Sequence, residues 1–436
     1  MSRNRFRFCK SGAHGLTRRQ LLGAAGASLL AGPALLSDNI AMGSPQAADL
    51  KKQRKAVIIL YLGGGASQLE TWDPKPGTIT GGPFRAIPTS VPGVHISELL
   101  PKLAQVMHHL AIVRSLDNSG MGPDHNGTGM HIGRKQDGFV HYPSFAEIVT
   151  EELARWDTKI PDHVELQMTD VFRYEATVRT SFLGARVQPV ILTGGKRPAN
   201  LSRPTTMADV DHADREALRD YLSRRFQAER QSASSEGYNR TFQRVRGLMS
   251  CDSLLDVDRS DPKYLDRYGP TSLGRHCLLA RRLVEAGVSV VKIRHTWWDT
   301  HADNFEGHLC LTADLDHALA TLLRDLADRD LLKTTLVLTT SEFGRTPRIT
   351  AELGRDHWPN AWSLTLAGCG VPGGAVVGKT NGDGTAITAG RVTPADLHHT
   401  YYRLLGIDPA KRYYQGSRPV FLADEHGKAI KELVRG

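Results

Sequence analysis

The chain has 436 residues, of which 55 are Lys or Arg and 46 are Asp or Glu, for a formal net charge of +9. Residues 1–48 hold six of the bases and one of the acids, so the remainder carries only +4, spread along its length, and gives no support for a nucleic-acid partner. The five cysteines, Cys9, Cys251, Cys277, Cys310 and Cys369, are scattered without metal-ligand, haem or iron–sulfur spacing, which argues against an electron-transfer role.

At the N-terminus Arg3, Arg5, Arg7 and Lys10 lead into Thr17-Arg18-Arg19-Gln20-Leu21-Leu22, which resembles the bacterial twin-arginine export signal. A weakly apolar stretch rich in Ala and Gly follows as far as Leu36, giving the n-region and h-region order of a secretory signal. It is too short to span a bilayer comfortably, which takes about 20 apolar residues. Residues 1–48 are therefore read as a signal segment, either cleaved among the small residues 41–48 or retained as an anchor. Residues 49–430 are expected to form a single domain, periplasmic or secreted, with no further transmembrane span and an oligomeric state left open. Chains taking this route fold before export, which suits a protein that loads a metal or cofactor in the cytoplasm.

The first element past the signal is the apolar run from Lys55 to Leu62, ended by Gly63-Gly64-Gly65. Its lack of alternation suggests a strand covered on both faces. Further strands are expected at Leu110–Val113, Val187–Leu192, Val288–Ile293 and Thr334–Thr339. Helices are expected at Ser97–Met107, Tyr142–Trp156, Ser272–Glu285 with Gly287 as its stop, and Thr312–Asp328. A charged helical insertion is assigned to about 204–270. Near the end, Thr393-Pro394-Ala395-Asp396 is a capping box for a helix running through Leu404 to Gly406. Repeated helix-then-strand order gives an α/β fold, with a mostly parallel central sheet and helices on both faces.

Open α/β sheets bind ligands at the C-terminal ends of their strands. Past the first strand, the glycines permit a tight turn but lack the G-x-G-x-x-G spacing of a dinucleotide site, and Asp73 is either a ligand or a local cap. Past Val113, a glycine-rich stretch carries Asp124 and His125 as reactive or ligating groups, and His131 beyond them. Past Ile293 lies the densest cluster, with three histidines, two aspartates and a glutamate between Arg294 and His308. Such polar density fits a metal or anion better than packing, and Asp299 and His301 are the leading ligand pair. Past Thr340, Glu342 is placed to reach a central metal, Asp356 and His357 add two more ligands, and Arg345 or Arg355 matches an anionic substrate group. Either arginine could instead serve a surface ion pair.

Several of these features together resemble the DUF1501 family: Trp72-Asp73-Pro74 after the glycines, the segment Ala280 to Gly287, Trp298-Asp299-Thr300-His301, Ser341 to Pro347, Gly354 to Pro359 and Gly406 to Pro409. The family is similar to the alkaline phosphatase and sulfatase superfamily. That resemblance implies a three-layer sandwich, a two-metal site and hydrolysis of phosphate or sulfate esters, with Zn, Mn or Ca as the divalent metal. It implies that Glu342 stands for a metal-binding Asp, with Phe343 replacing the neighbouring His, and that His357 closes the site. Asp299, with His301 or Asp303, lies where the superfamily has an Asp-x-x-x-His pair, at a different spacing. Two departures stand out. Gly63-Gly64-Gly65 replaces a metal-binding Asp, for which only Asp73 can substitute. The nucleophile has no clean match among Gly122 to His125, although Ser119 and Thr128 are near. The function implied is a metal-dependent ester hydrolase acting on a small molecule or glycan. The alternative is a non-catalytic binding or accessory protein that keeps the same fold.

Overall fold

An apolar strand with no polar face has to be covered on both sides, and Ala56–Leu62 (β1), buried along its whole length, is an inner strand of an eight-stranded sheet. The computed structural model describes residues 53–434 except 122–124, 126, 138, 156–159, 169–180, 195–206, 230–241, 244, 248 and 259. The signal segment and Asp124 lie outside the described residues. The other strands are Leu110–Leu116 (β2), His163–Gln167 (β3), Val190–Thr193 (β4), Val290–His295 (β5), Thr335–Thr340 (β6), Trp362–Ala367 (β7) and Val376–Val377 (β8). Their order is β8-β2-β7-β6-β1-β5-β3-β4. β1 pairs in parallel with β5 and β6, β3 with β5 and β4, and β8 with β2, while β7 runs antiparallel between β6 and β2.

Alternate residues of each strand face opposite layers. Ile58, Leu60, Val291 and Ile293 join one core with Ser272–Glu285 (α3) and Asn304–Asp328 (α4). Val57, Ile59, Val290 and Leu338 join the other with Phe145–Leu153 (α1) and Pro394–Leu405 (α5). The expected mostly parallel sheet with helices on both faces is therefore present. Asp209–Glu229 (α2) belongs to the charged segment and exposes Leu218, Tyr221, Leu222 and Phe226. Among the described residues no helix is long and apolar enough to cross a membrane.

Local chemistry fixes the element ends. Thr393 and Asp396 form the reciprocal capping box that starts α5, Pro394 follows as its first residue, and Gly406 ends it at φ +78°. Two expectations are corrected. The helix at Ser97–Met107 is reduced to Pro101–Gln105, because Ser97 is paired in a short strand and Pro101 can only begin a helix. α4 starts eight residues earlier than expected, at Asn304, so Glu306 and His308 stand on a helix rather than in a loop.

Candidate metal centre

Because β1, β2, β5 and β6 all point the same way, the loops at 63–73, 296–303 and 341–360 and the described residues between 117 and 133 meet at one edge of the sheet. Close approach there depends on glycine. Gly64 (φ +115°) lies so near the Asp299 backbone nitrogen that no Cβ would fit, and a Cβ on Gly65 (φ +91°) would enter the Phe343 ring. The triple glycine thus makes both a turn and a contact surface for the next two loops. Trp297, two residues before Asp299, holds a positive φ of 83°, a strained backbone of the kind that clusters at functional sites.

At this edge a carboxylate oxygen of Asp299 and ring nitrogens of His125 and His357 lie within 4.8 Å of one another. Asp299 Oδ1 is 3.1 Å from His301 Nε2, 3.3 Å from His357 Nε2 and hydrogen-bonded by Arg345 Nη2, while Oδ2 faces His125 Nε2 at 3.8 Å. His301 Nε2 and His357 Nε2 are 3.1 Å apart. The other face of His301 is fixed, with Nδ1 2.8 Å from the carboxylate of the exposed Asp356. If Nδ1 carries the proton, the Nε2 lone pair faces both a carboxylate and a second imidazole, an arrangement that calls for a cation or a second proton between them. That donor set fits a divalent metal.

Glu342, buried immediately after β6, stands behind His125, with Oε1 3.5 Å from His125 Nδ1. Three further contacts hold it in place. Gly64 N–H donates to Oε1 at 2.7 Å, Ser341 Oγ is 3.0 Å from Oε2, and Asn118 donates to the Glu342 carbonyl at 2.8 Å. The hydrogen bond to Glu342 raises the His125 pKa above its usual value, and that to Asp299 does the same for His301. Burial pushes His357 down. Burial also works against the charge of Asp299, yet His301, His357 and Arg345 together hold its carboxyl far below the usual range.

The structure thus gathers Asp299, His301, His357 and His125, with Glu342 and Asp356 each behind one imidazole. The remaining candidates are placed otherwise. Asp73 has its oxygens engaged by Lys75 at 2.9 Å and by Thr380, with Arg114 at 3.6 Å, and shares no described partner with the cluster. Its carboxylate serves a local network, not the cluster. Arg355 is fully buried and all five of its N–H groups are used, by Glu70 and by the carbonyls of Thr346, Pro347 and Thr80. Arg345, equally buried, donates to the carbonyls of Gly64, Gly65 and Arg355 and to Asp299. Both guanidiniums therefore brace the loops. His308 is also structural: its Nε2 accepts from Ser67 N–H at 3.0 Å and its Nδ1 donates to the Asn304 carbonyl at 2.9 Å. Sequence reasoning did not single out Ser341 and Asn118. The one signal for Ser341 was its position directly after a buried strand.

Similar solved structures include the lipoteichoic acid synthase LtaP from Listeria monocytogenes, with 8% identity, 87% of this chain and 81% of that chain covered, and a TM-score of 0.39. The sulfatase PsFucS1 from Pseudoalteromonas sp. matches at 10% identity, with 84% and 72% covered and a TM-score of 0.39. The phosphonate monoester hydrolase SpPMH from Silicibacter pomeroyi matches at 11%, with 86% and 76% covered and a TM-score of 0.38. Likeness at this level assigns no chemistry. No curated protein matches the sequence. Residues 54–434 match the model of the family described as a protein of unknown function, DUF1501, and the chain belongs to that family.

Proposed function

We propose that this chain is an exported, metal-dependent hydrolase of phosphate or sulfate esters, in which Asp299, His301 and His357 hold the cation and His125 moves the proton. The observation that carries this reading is the approach of His301 Nε2 and His357 Nε2 to one oxygen of Asp299, at 3.1 and 3.3 Å, with His125 beside them, at the C-terminal edge of the sheet. A donor set of imidazoles and one carboxylate suits Zn or Mn better than Ca, which prefers all-oxygen coordination. A bound divalent cation would supply positive charge for the anionic ester group and for activation of water.

The remaining roles follow from the protein groups. Arg345 fixes Asp299 from below, and Asp356 fixes the tautomer of His301. His125, oriented by Glu342 and raised in pKa by it, holds a proton that it can deliver to the departing alcohol oxygen. Water is the attacking group, because the described partners of His125, Asp299 and His357 are carboxylates, imidazoles, an aromatic ring and a guanidinium. The products are the alcohol and inorganic phosphate or sulfate.

One observation favours the alternative of a metal-bearing binding protein: both candidate arginines are consumed inside the fold, so neither clamps the anion. Metal analysis of the purified chain, combined with an ester screen, separates the two. Asp299→Ala and His357→Ala are expected to lose the metal, whereas His125→Ala should keep it and lose turnover by about 10²-fold or more, the usual contribution of a positioned proton carrier. A metal-loaded wild type inactive on every phosphate and sulfate ester would favour the binding protein. A metal-free wild type would overturn the proposed centre.

A further inference from the structure

A second feature lies beside the cluster, on the face of the sheet that carries α1 and α5. A cavity of about 480 Å³ opens there, within the range of small-ligand sites. Its floor is unusual for an inner strand. Lys292 and Arg294 project from β5 and Glu165 from β3, each no more than 9% exposed. Register places Lys292 between Ile59 and Glu165, and Arg294, two residues further along the same strand, between Tyr61 and Gln167, so Lys292 and Glu165 lie side by side across the sheet with Arg294 next to them on the same face. Arg294 pairs with Glu165, and the Lys292 ammonium lies 4.5 Å from the Tyr61 ring centre. Two cations and a carboxylate in the middle of a covered sheet are costly to desolvate and add nothing that apolar side chains would not provide.

Rings line much of the rest: Tyr61 beside Arg294 on the sheet itself, and His131, Phe145, His398 and Tyr401. His398 Nε2 donates to the Met130 carbonyl at 2.9 Å, which leaves its Nδ1 as an acceptor, and burial takes its pKa down to about 4. Among the described residues neither His398 Nδ1 nor His131 Nε2 has a hydrogen-bond partner. Both nitrogens are closed off from the cavity space, so an occupant meets the charged floor, where Lys292 and Arg294 donate and Glu165 accepts, together with the ring faces. A ligand with several hydroxyls, each able to donate and to accept, and with a C–H face to lie on a ring, suits that floor and those rings.

The cavity is also next to the metal centre. Thr128, Thr340 and Ser341 line it, Ser341 is hydrogen-bonded to Glu342, and Gly127 packs between the Tyr61 hydroxyl and the Glu342 side chain. We propose that this cavity is a subsite for one sugar ring, placed with its hydroxyls on Lys292, Arg294 and Glu165 and its C–H face against the rings. Its role as the seat of the alcohol part of the ester rests on the hydrolase reading; its capacity to bind a sugar does not.

The test is saturation-transfer NMR and calorimetry on the full chain with D-glucose, D-galactose and D-glucuronate, with no ester present. At least one sugar should bind to wild type and to Asp299→Ala with affinities within about twofold of each other, since the metal ligand takes no part. His131→Phe, which narrows the cavity, and Lys292→Gln, which removes a charged donor, should each weaken binding about tenfold, equivalent to about 1.4 kcal/mol. Melting curves of the two variants establish that they are folded. Absence of binding to folded wild type, or binding unaffected by both folded variants, overturns the proposal. Sugar binding without ester turnover would sink the hydrolase reading alone, and turnover of esters without sugar binding would sink the subsite alone.

Discussion

Arg355 sits two residues before His357 and meets Glu70 from a point 285 residues away in the chain, at 2.7 Å, with both side chains fully buried. Burial raises the Glu70 carboxyl, but the Arg355 guanidinium outweighs it and holds the pKa below the ordinary value. The sign follows: stability from this pair is complete above the unfolded carboxyl pKa, about 4.3, and is lost as pH falls through the lower folded value. Glu70→Gln leaves a buried guanidinium without its counter-charge and should cost about 3–5 kcal/mol. In thermal melts that is a fall of roughly 5 °C for a domain of this size. Metal affinity should fall with it, because the loop carrying His357 loses its brace. An unchanged melt would show that the three carbonyls on Arg355 suffice. At this scale the sequence named the right residue types but not all their roles. An arginine after a strand reads the same whether it faces a substrate phosphate or backbone carbonyls. The groups that saturate Arg355 come from Thr80 and Glu70 as well as from its own loop, and sequence spacing carries no trace of that. Asp299, His301 and His357 were legible because several ligand-type side chains crowd the ends of buried strands, where packing alone gives no reason for them.

At the scale of elements, the approach of β1 to the loops after β5 and β6 sets the site. Gly64 serves both, since its N–H reaches Glu342 and its Cα lies against Asp299. Gly64→Ala forces a side chain into that contact at φ +115°, a cost of at least 1–2 kcal/mol from backbone strain before the clash is counted. The loop bearing Asp299 must then retreat. We expect a lower melting temperature and a metal affinity reduced at least tenfold, read by competition with a chromophoric chelator; retention of wild-type affinity would mean that the glycines serve the turn alone. Strand runs such as Val57–Leu62 were readable because they are unbroken. β3 and β7 were not, since His163 and Glu165 interrupt one and Ser363 and Thr365 the other, although all four side chains are buried. Polar residues that a fold buries imitate a loop in the sequence, and the first turns of α4, with buried Asn304 and His308, were misread for the same reason.

For the whole molecule, the histidines that the fold buries set its response to acid. His276, His295, His308 and His398 lie in both cores and around the site, and burial takes each pKa down to about 4. In the unfolded chain each regains a value near 6.5. Between about pH 6.5 and 4 the unfolded state therefore binds more protons than the native state, and stability rises with pH across that window. The slope is about 1.4 kcal/mol per pH unit for each group that is fully protonated unfolded and neutral folded. His125 and His301 act in the opposite sense in the metal-free chain. Their raised values add stability that is complete below about 6.5 and is lost as pH climbs through their folded pKa values, outside the acid window. Urea denaturation of chelator-treated protein between pH 7 and pH 5 should accordingly show a steep loss of stability toward acid. His398→Gln should flatten that slope by about one proton. A stability flat across this range would mean that these imidazoles titrate normally in the native state, which is incompatible with their position between the sheet and its helices.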